Sequence, residues 1–223
     1  IQQPLDEIRP VKIIALGKKA AAITSKTSYC QQTLAGLSYF TKTEYNGVSL
    51  MLGSHALAER LHQVAPNIQR IFIVQQTGHH TIDIQAPDSK ALPTVVSLEG
   101  SDSLETIRLL GHLLEQDVTP TSDAVFIPAN IESDIRLNVE KVAWDKKIML
   151  LSTNFSHLET GIPMVFYPDP VALGSQLGRM AGKKNLSYEN AAVINIGLNR
   201  RTAQHINLAP SPDKPDLFSV QIK

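Results

Sequence analysis

The chain has 223 residues, 43% apolar and 19% charged, with 21 basic and 21 acidic side chains and no net charge. That is the composition of an ordinary globular protein, long enough for one large domain or two small lobes with a proper core. It carries no electrostatic footprint for nucleic acid or an anionic membrane, and no apolar run approaches the roughly 18 residues of a spanning helix.

The chain begins at Ile1 rather than Met. A preceding segment is expected to have been removed or left out, a cleaved secretory signal being one explanation and trimming another. Residues 11–17 read as a strand ending in Gly17, followed at once by a helix from Lys18, a turn where backbone N–H groups can meet a negative group. An ordinary turn with solvated lysines is at least as good a reading, because neither a dinucleotide fingerprint nor a phosphate loop is present. Cys30 is the single cysteine; it excludes an internal disulfide and suits periplasm and cytosol alike.

Residues 32–40 read as a strand and Tyr45-Asn46-Gly47 as a turn. Ser54 is placed to cap a helix through Ala65 with Leu57, Leu61 and Val64 on one face, stopped by Pro66-Asn67. Residues 68–74 form a buried strand leading into Gln75-Gln76-Thr77-Gly78-His79-His80. Residues 81–85 alternate, 86–89 carry turn chemistry, and 93–98 read as a strand. A helix over 101–116 points Leu104, Ile107, Leu110 and Leu114 inward, capped by Ser101 or Asp102.

The central stretch, 123–154, reads as one β-α-β unit. The apolar runs 123–129 and 148–153 are strands covered on both faces, and Ile131, Ile135, Val139 and Val142 recur with helical period between them. Asn130 stands where a helix cap would stand. A crossover helix implies parallel pairing, and ligands of open α/β sheets sit at the carboxyl ends of the strands, here at Asn130 and at Asn154-Phe155. Residues 161–167 form another strand. Asp169 caps the next helix with Pro170 at its first position, and Gly174 and Gly178 leave room for a close neighbour. A strand over 191–196, a helix over 200–206, a proline-rich connector and a strand over 218–222 complete an α/β pattern with largely parallel sheets.

Several of these pieces together resemble the periplasmic substrate-binding proteins of ABC transporters, in the branch that includes tryptophan- and tyrosine-binding lipoproteins. The resemblance is carried by Val64-Ala65-Pro66 with Asn67 to Val74, by Asp123 to Asn130, and by Gly161-Ile162-Pro163 through Leu173 to Ala181. It is carried further by Val193-Ile194-Asn195-Ile196 with Thr202-Ala203, and by Leu16-Gly17-Lys18-Lys19-Ala20-Ala21. It implies a two-lobed α/β fold with parallel, flavodoxin-like sheets that closes on ligand by hinge motion. By analogy, 1–52 plus 167–187 form the first lobe, and 53–166 plus 188–223 form the second. The chain departs from the family twice. A β-α unit expected before Leu16-Gly17 is missing, which leaves the first lobe incomplete, and 78–98 read as strand and turn where the family has a helix.

The resemblance also implies ligand contacts at Gly17, Lys18, Gln76, Thr77, Asn130, Asn154, Phe155 and Tyr167. Each has a plainer reading: Asn130 as a cap, Phe155 and Tyr167 as core, Lys18 as a solvated lysine. His79-His80 does not make a metal site, since adjacent histidines on a strand diverge and no acid or cysteine stands at ligand spacing. A Gly-x-Ser-x-Gly elbow is absent too. The expectation is a non-enzymatic solute-binding protein, exported to the bacterial periplasm, which captures a small amino-acid-like molecule for an ABC importer without cofactor or metal. Its partners are then that ligand and a membrane permease. The alternative is a sensory or protein-interaction subunit that keeps the scaffold and signals to a membrane receptor; an enzyme on a flavodoxin-like sheet is a third reading. Ligand identity and oligomeric state are left open by the sequence.

Overall fold

A computed structural model describes residues 2–85, 91–208 and 217–223. In chain order the first elements are α1 (Gln2–Ile8), β1 (Ile13–Leu16), α2 (Lys18–Thr24), β2 (Thr33–Gly36), β3 (Gly47–Ser49) and β4 (Leu52–Gly53). Then come α3 (Ser54–Val64), β5 (Arg70–Gln76), β6 (Ile82–Asp83), β7 (Thr94–Gly100), α4 (Ser103–His112) and β8 (Asp123–Phe126). They are followed by α5 (Ser133–Lys146), β9 (Met149–Ser152), α6 (His157–Thr160), β10 (Met164–Pro168) and α7 (Pro170–Ala181). The last are β11 (Tyr188–Asn190), β12 (Ile194–Asn199), α8 (Arg200–His205) and β13 (Val220–Ile222). The chain divides into two compact units, Ile1–Leu52 with Pro168–Val193, and Gly53–Tyr167 with Ile194–Lys223.

The first unit holds a four-stranded sheet in the order β1-β2-β3-β11, parallel throughout. Its buried apolar residues include Leu34, Val48, Met51, Leu177 and Met180, and a separate small cluster of Ala15, Ala21, Ala35 and Phe40, with Tyr45 and Tyr188 meeting the Phe40 ring edge-on at 5.7 and 5.8 Å. Gly47, at φ +136°, has to be glycine, because a Cβ there would fall on the Ala35 carbonyl across the strand pair. The expected strand over 32–40 is shorter, since Leu37 turns the chain at φ +54°. Two strands of this sheet were not anticipated. β3 starts on Gly47, the last residue of a predicted turn, and β11, paired with β3, keeps residues 188–193 in the first unit instead of the second. Asp169 does cap α7, accepting the Ala172 N–H at 2.7 Å behind Pro170. Gly174 and Gly178 face open space; the close approach is made at Gly36, where Leu177 lies against the strand.

In the second unit a seven-stranded sheet runs β13-β12-β10-β9-β8-β5-β7. β7, β5, β8, β9 and β10 are mutually parallel. β12 lies antiparallel to β10: Asn199 N–H reaches the Pro163 carbonyl and Asp169 N–H the Val193 carbonyl, pairs whose residue numbers have the same sum. Fully buried runs in β8 and β9 sit mid-sheet, as their unbroken apolar sequence requires. Phe72, Leu110, Val125, Val139, Ile148, Leu150 and Val165 belong to one core cluster.

Local readings were corrected at several helices. α3 has Gly53 at its cap position, and the Ser54 hydroxyl instead accepts the Gln85 N–H at 2.9 Å. Asp102 caps α4, taking the Glu105 N–H at 2.8 Å, while Leu104, expected inward, is exposed and Thr106 is buried. α5 begins two residues later than expected, so Asn130 lies in an exposed turn and is not its cap. α5 also buries Arg136 along with Val139 and Ala143. The expected turn over 86–89 and most of the proline-rich connector lie outside the described residues.

Candidate functional site

Because β10, β9, β8, β5 and β7 run parallel, their carboxyl ends share one edge of the second unit's sheet. Along it, in spatial order, come Tyr167 near the end of β10, Asn154-Phe155 after β9, Asn130 after β8, Gln76-Thr77 at the end of β5 and Glu99-Gly100 of β7. Six of the eight expected ligand residues thus lie on this edge. Gly17 and Lys18 belong to the first unit, at the end of β1. There the Gly17 N–H is spent on the Gly36 carbonyl at 2.8 Å, and Lys18 is exposed.

The edge has an aromatic end and a polar end. Phe155 and Tyr167 meet edge-to-face, centroids 5.0 Å apart and planes at 77°. Phe155 keeps 42% of its surface exposed, so it is a platform over the strand ends, not core. Tyr167 is half-buried and leans on the core cluster. At the polar end the Thr77 hydroxyl donates to Glu99 at 2.8 Å and His80 Nε2 lies 3.0 Å from the same carboxylate. These hydrogen bonds, Thr77 first, hold the Glu99 carboxyl below its usual range. Gln76 accepts from the Ser103 hydroxyl at 3.1 Å.

Asn154 does a different job. Its amide N–H groups go to the Ala129 carbonyl at 3.2 Å and to His157 Nε2 at 3.3 Å, and its Oδ1 accepts from the Ser156 backbone and hydroxyl. It therefore ties the end of β8 to the end of β9, and no amide atom is left over for a ligand. Asn130, next to Ala129, is exposed on that edge.

Beneath the edge lie polar residues that the sequence did not single out. Buried Gln75 accepts the Thr81 and Ile82 N–H groups at 3.0 and 2.9 Å and donates to the Ile82 carbonyl, pinning 81–82 against β5. Thr153 donates to the Thr81 hydroxyl at 3.0 Å. His157 is 5% exposed; its Nδ1 lies 2.9 Å from the Ser152 hydroxyl. With Nε2 accepting from Asn154, Nδ1 must carry the proton, which defines a neutral imidazole. Burial, then the nearby charge of Arg136, pushes the His157 pKa down to about 4. The Arg136 guanidinium is itself held by Glu140 at 2.9 Å and by the Thr160 hydroxyl. The signal for Gln75 was legible in outline, a polar pair closing an apolar strand; His157 had none beyond its distance from Ser152 along the chain. Among the described residues no three acidic, histidine or cysteine side chains converge as a metal site would require.

No protein-family model and no curated protein sequence matches the chain. Its fold does match solved structures. A substrate-binding protein with adhesive properties from Clostridium difficile, in its ligand-free open form, aligns over 100% of this chain and 82% of its own, at TM-score 0.59 and 16% identity. An ABC domain in complex with L-Trp from Streptococcus pneumoniae covers 99% and 82% at TM-score 0.59 and 14% identity. A conserved domain protein from Vibrio cholerae covers 99% and 81% at TM-score 0.56 and 14% identity. The class is therefore one of fold, the α/β architecture of two units with mostly parallel sheets that this chain shares with these structures. Within that class the solved chains with this fold include one that holds L-Trp.

Proposed function

We propose that the protein is a non-enzymatic solute-binding protein of the bacterial periplasm that captures a small amino-acid-like molecule for an ABC importer. The observation that carries this reading is the pairing of exposed Phe155 with half-buried Tyr167 at the carboxyl edge of the sheet, adjoining a row of polar side chains. An aromatic platform beside hydrogen-bonding groups suits a small ligand with a flat apolar body and a polar head. A structural neighbour holding L-Trp supports that ligand chemistry. Phe155 and Tyr167 would take the apolar body, and Asn130, Gln76 and Thr77 the polar head. Asn154 then acts through position, fixing the loop that presents Phe155.

The test is a thermal-shift screen against the twenty amino acids and related metabolites. A ligand at one hundred times its dissociation constant stabilises the protein by about 2.7 kcal/mol. The same ligand should lose about tenfold in affinity on Phe155→Ala, roughly 1.4 kcal/mol, with little change in the unliganded midpoint because the ring is exposed. No shift with any member of the screen, or an undiminished shift in the variant, would remove the aromatic edge from consideration.

One observation favours the alternative, a sensory or protein-interaction subunit. β1 is an edge strand, and Ile14 and Leu16 on its one face are 45% and 54% exposed. An apolar sheet edge of this kind is a natural template for another chain.

A further inference from the structure

At the opposite edge of the second unit's sheet lies a cavity of about 350 Å³, bordered by α5, the start of β9, the turn before β10, α8 and β13. That volume is in the range of small-molecule sites. Its lining includes Ala143, Ile148, Leu150 and Ile206, which are 1–8% exposed and form a narrow apolar floor at its base.

Two polar groups in that lining are unspent. Thr202 is only 7% exposed; its N–H is taken by Asn199, yet its hydroxyl has no hydrogen-bond partner among the described residues. Thr202 lines the cavity, so its hydroxyl is within reach of a bound acceptor. Beside it, Arg201 forms no ion pair among the described residues, and its guanidinium is steadied 6.0 Å from the Trp144 ring centre. Trp144 is in turn fixed by His205, stacked at 3.6 Å and donating through Nε2 to the Trp144 carbonyl at 2.8 Å. The cation is thus presented on a rigid support.

Charge decides the kind of ligand. Glu140 also lines the cavity, but its carboxylate is engaged by Arg136 and Thr160. That leaves Glu159 in a lining with Lys141, Arg201 and Lys223, none of which forms an ion pair among the described residues, so the charge is positive in excess. We infer that this cavity is a second ligand site, one that takes a small organic carboxylate with an apolar body. Arg201 and the Thr202 hydroxyl receive the carboxylate, and Ala143, Ile148, Leu150 and Ile206 receive the body. The site does not depend on the aromatic edge, and either can fail alone.

The test is a titration of isotopically labelled protein with 3-phenylpropionate, followed by amide shifts. Saturable shifts at Ala143, Ile148 and Thr202 are expected, with none when the neutral 3-phenylpropan-1-ol is used instead. Thr202→Val and Arg201→Gln should each weaken the carboxylate about tenfold or more, as loss of a charge-assisted hydrogen bond does. Both are surface or near-isosteric changes, and an unchanged spectrum away from the cavity confirms that the variants are folded. Absence of saturation up to about 10 mM, equal binding of the alcohol, or variants that bind like the parent would each overturn the inference. Shifts that gather at Phe155 and Tyr167 alone would assign the probe to the other edge and overturn it as well.

Discussion

His157 shows how much a single side chain can depend on its surroundings. In the sequence it is one of seven scattered histidines. In the fold it is buried at the start of α6, with one nitrogen donating and the other accepting, an arrangement that only the neutral ring satisfies. Its pKa, pushed down to about 4 from the usual 6.5, sets the sign of a pH effect. Between those two values the unfolded chain binds a proton that the folded chain refuses. The contribution is therefore fully present above pH 6.5 and is lost as pH falls toward 4, up to about 3 kcal/mol in all. Urea midpoints measured between pH 4 and pH 7 should fall on the acid side for the parent protein. In His157→Gln that slope should flatten; an unaltered slope would assign the acid sensitivity to other groups.

At the scale of elements, some ends were legible because capping is local chemistry. Asp169-Pro170 and Asp102 make the helix starts that their spacing implies, each with its carboxylate on an N–H three residues on. Asp169→Ala should cost about 1 kcal/mol of stability, read as a lower denaturant midpoint with an unchanged slope. Asn130 had the same local signature and is not a cap. The chain after β8 runs on through Pro128 and turns before α5 begins at Ser133, a choice set by packing of Ile131 and Ile135 on the core. The strands β3 and β11 escaped notice for a related reason. At three residues each they are too short for a period, and their pairing partners lie far apart in sequence. Arg136 was hidden by its type: a guanidinium at an inward helical position becomes tolerable only when Glu140 and Thr160 are folded around it.

At the scale of the molecule, the first unit is assembled from two stretches separated by the whole of residues 53–167. Without α7 and β11, residues 1–52 lose Leu177 over Gly36, Tyr188 against Phe40 and the strand beside β3. What remains is Leu34, Phe40, Val48, Met51, Leu52 and a few alanines, too little apolar surface to offset the conformational entropy of some fifty residues. A peptide of residues 1–52 should therefore give no cooperative thermal transition by circular dichroism, whereas joining 168–193 through a short linker should restore one. A cooperative melt of 1–52 alone would contradict this account of the unit's core.

The sequence by itself determined the α/β class, the parallel strands at 68–74, 123–129 and 148–153, and the polar strand ends that make the candidate edge. Each of these rests on periodicity, apolar runs and turn chemistry, which act over a few residues. Only the tertiary structure decided that Phe155 is a platform, that Asn154 is a tie, that β12 runs against β10, and that Thr202 and Arg201 border a cavity. Those outcomes depend on what lies across the sheet from each residue, and the neighbours responsible stand tens of positions away along the chain.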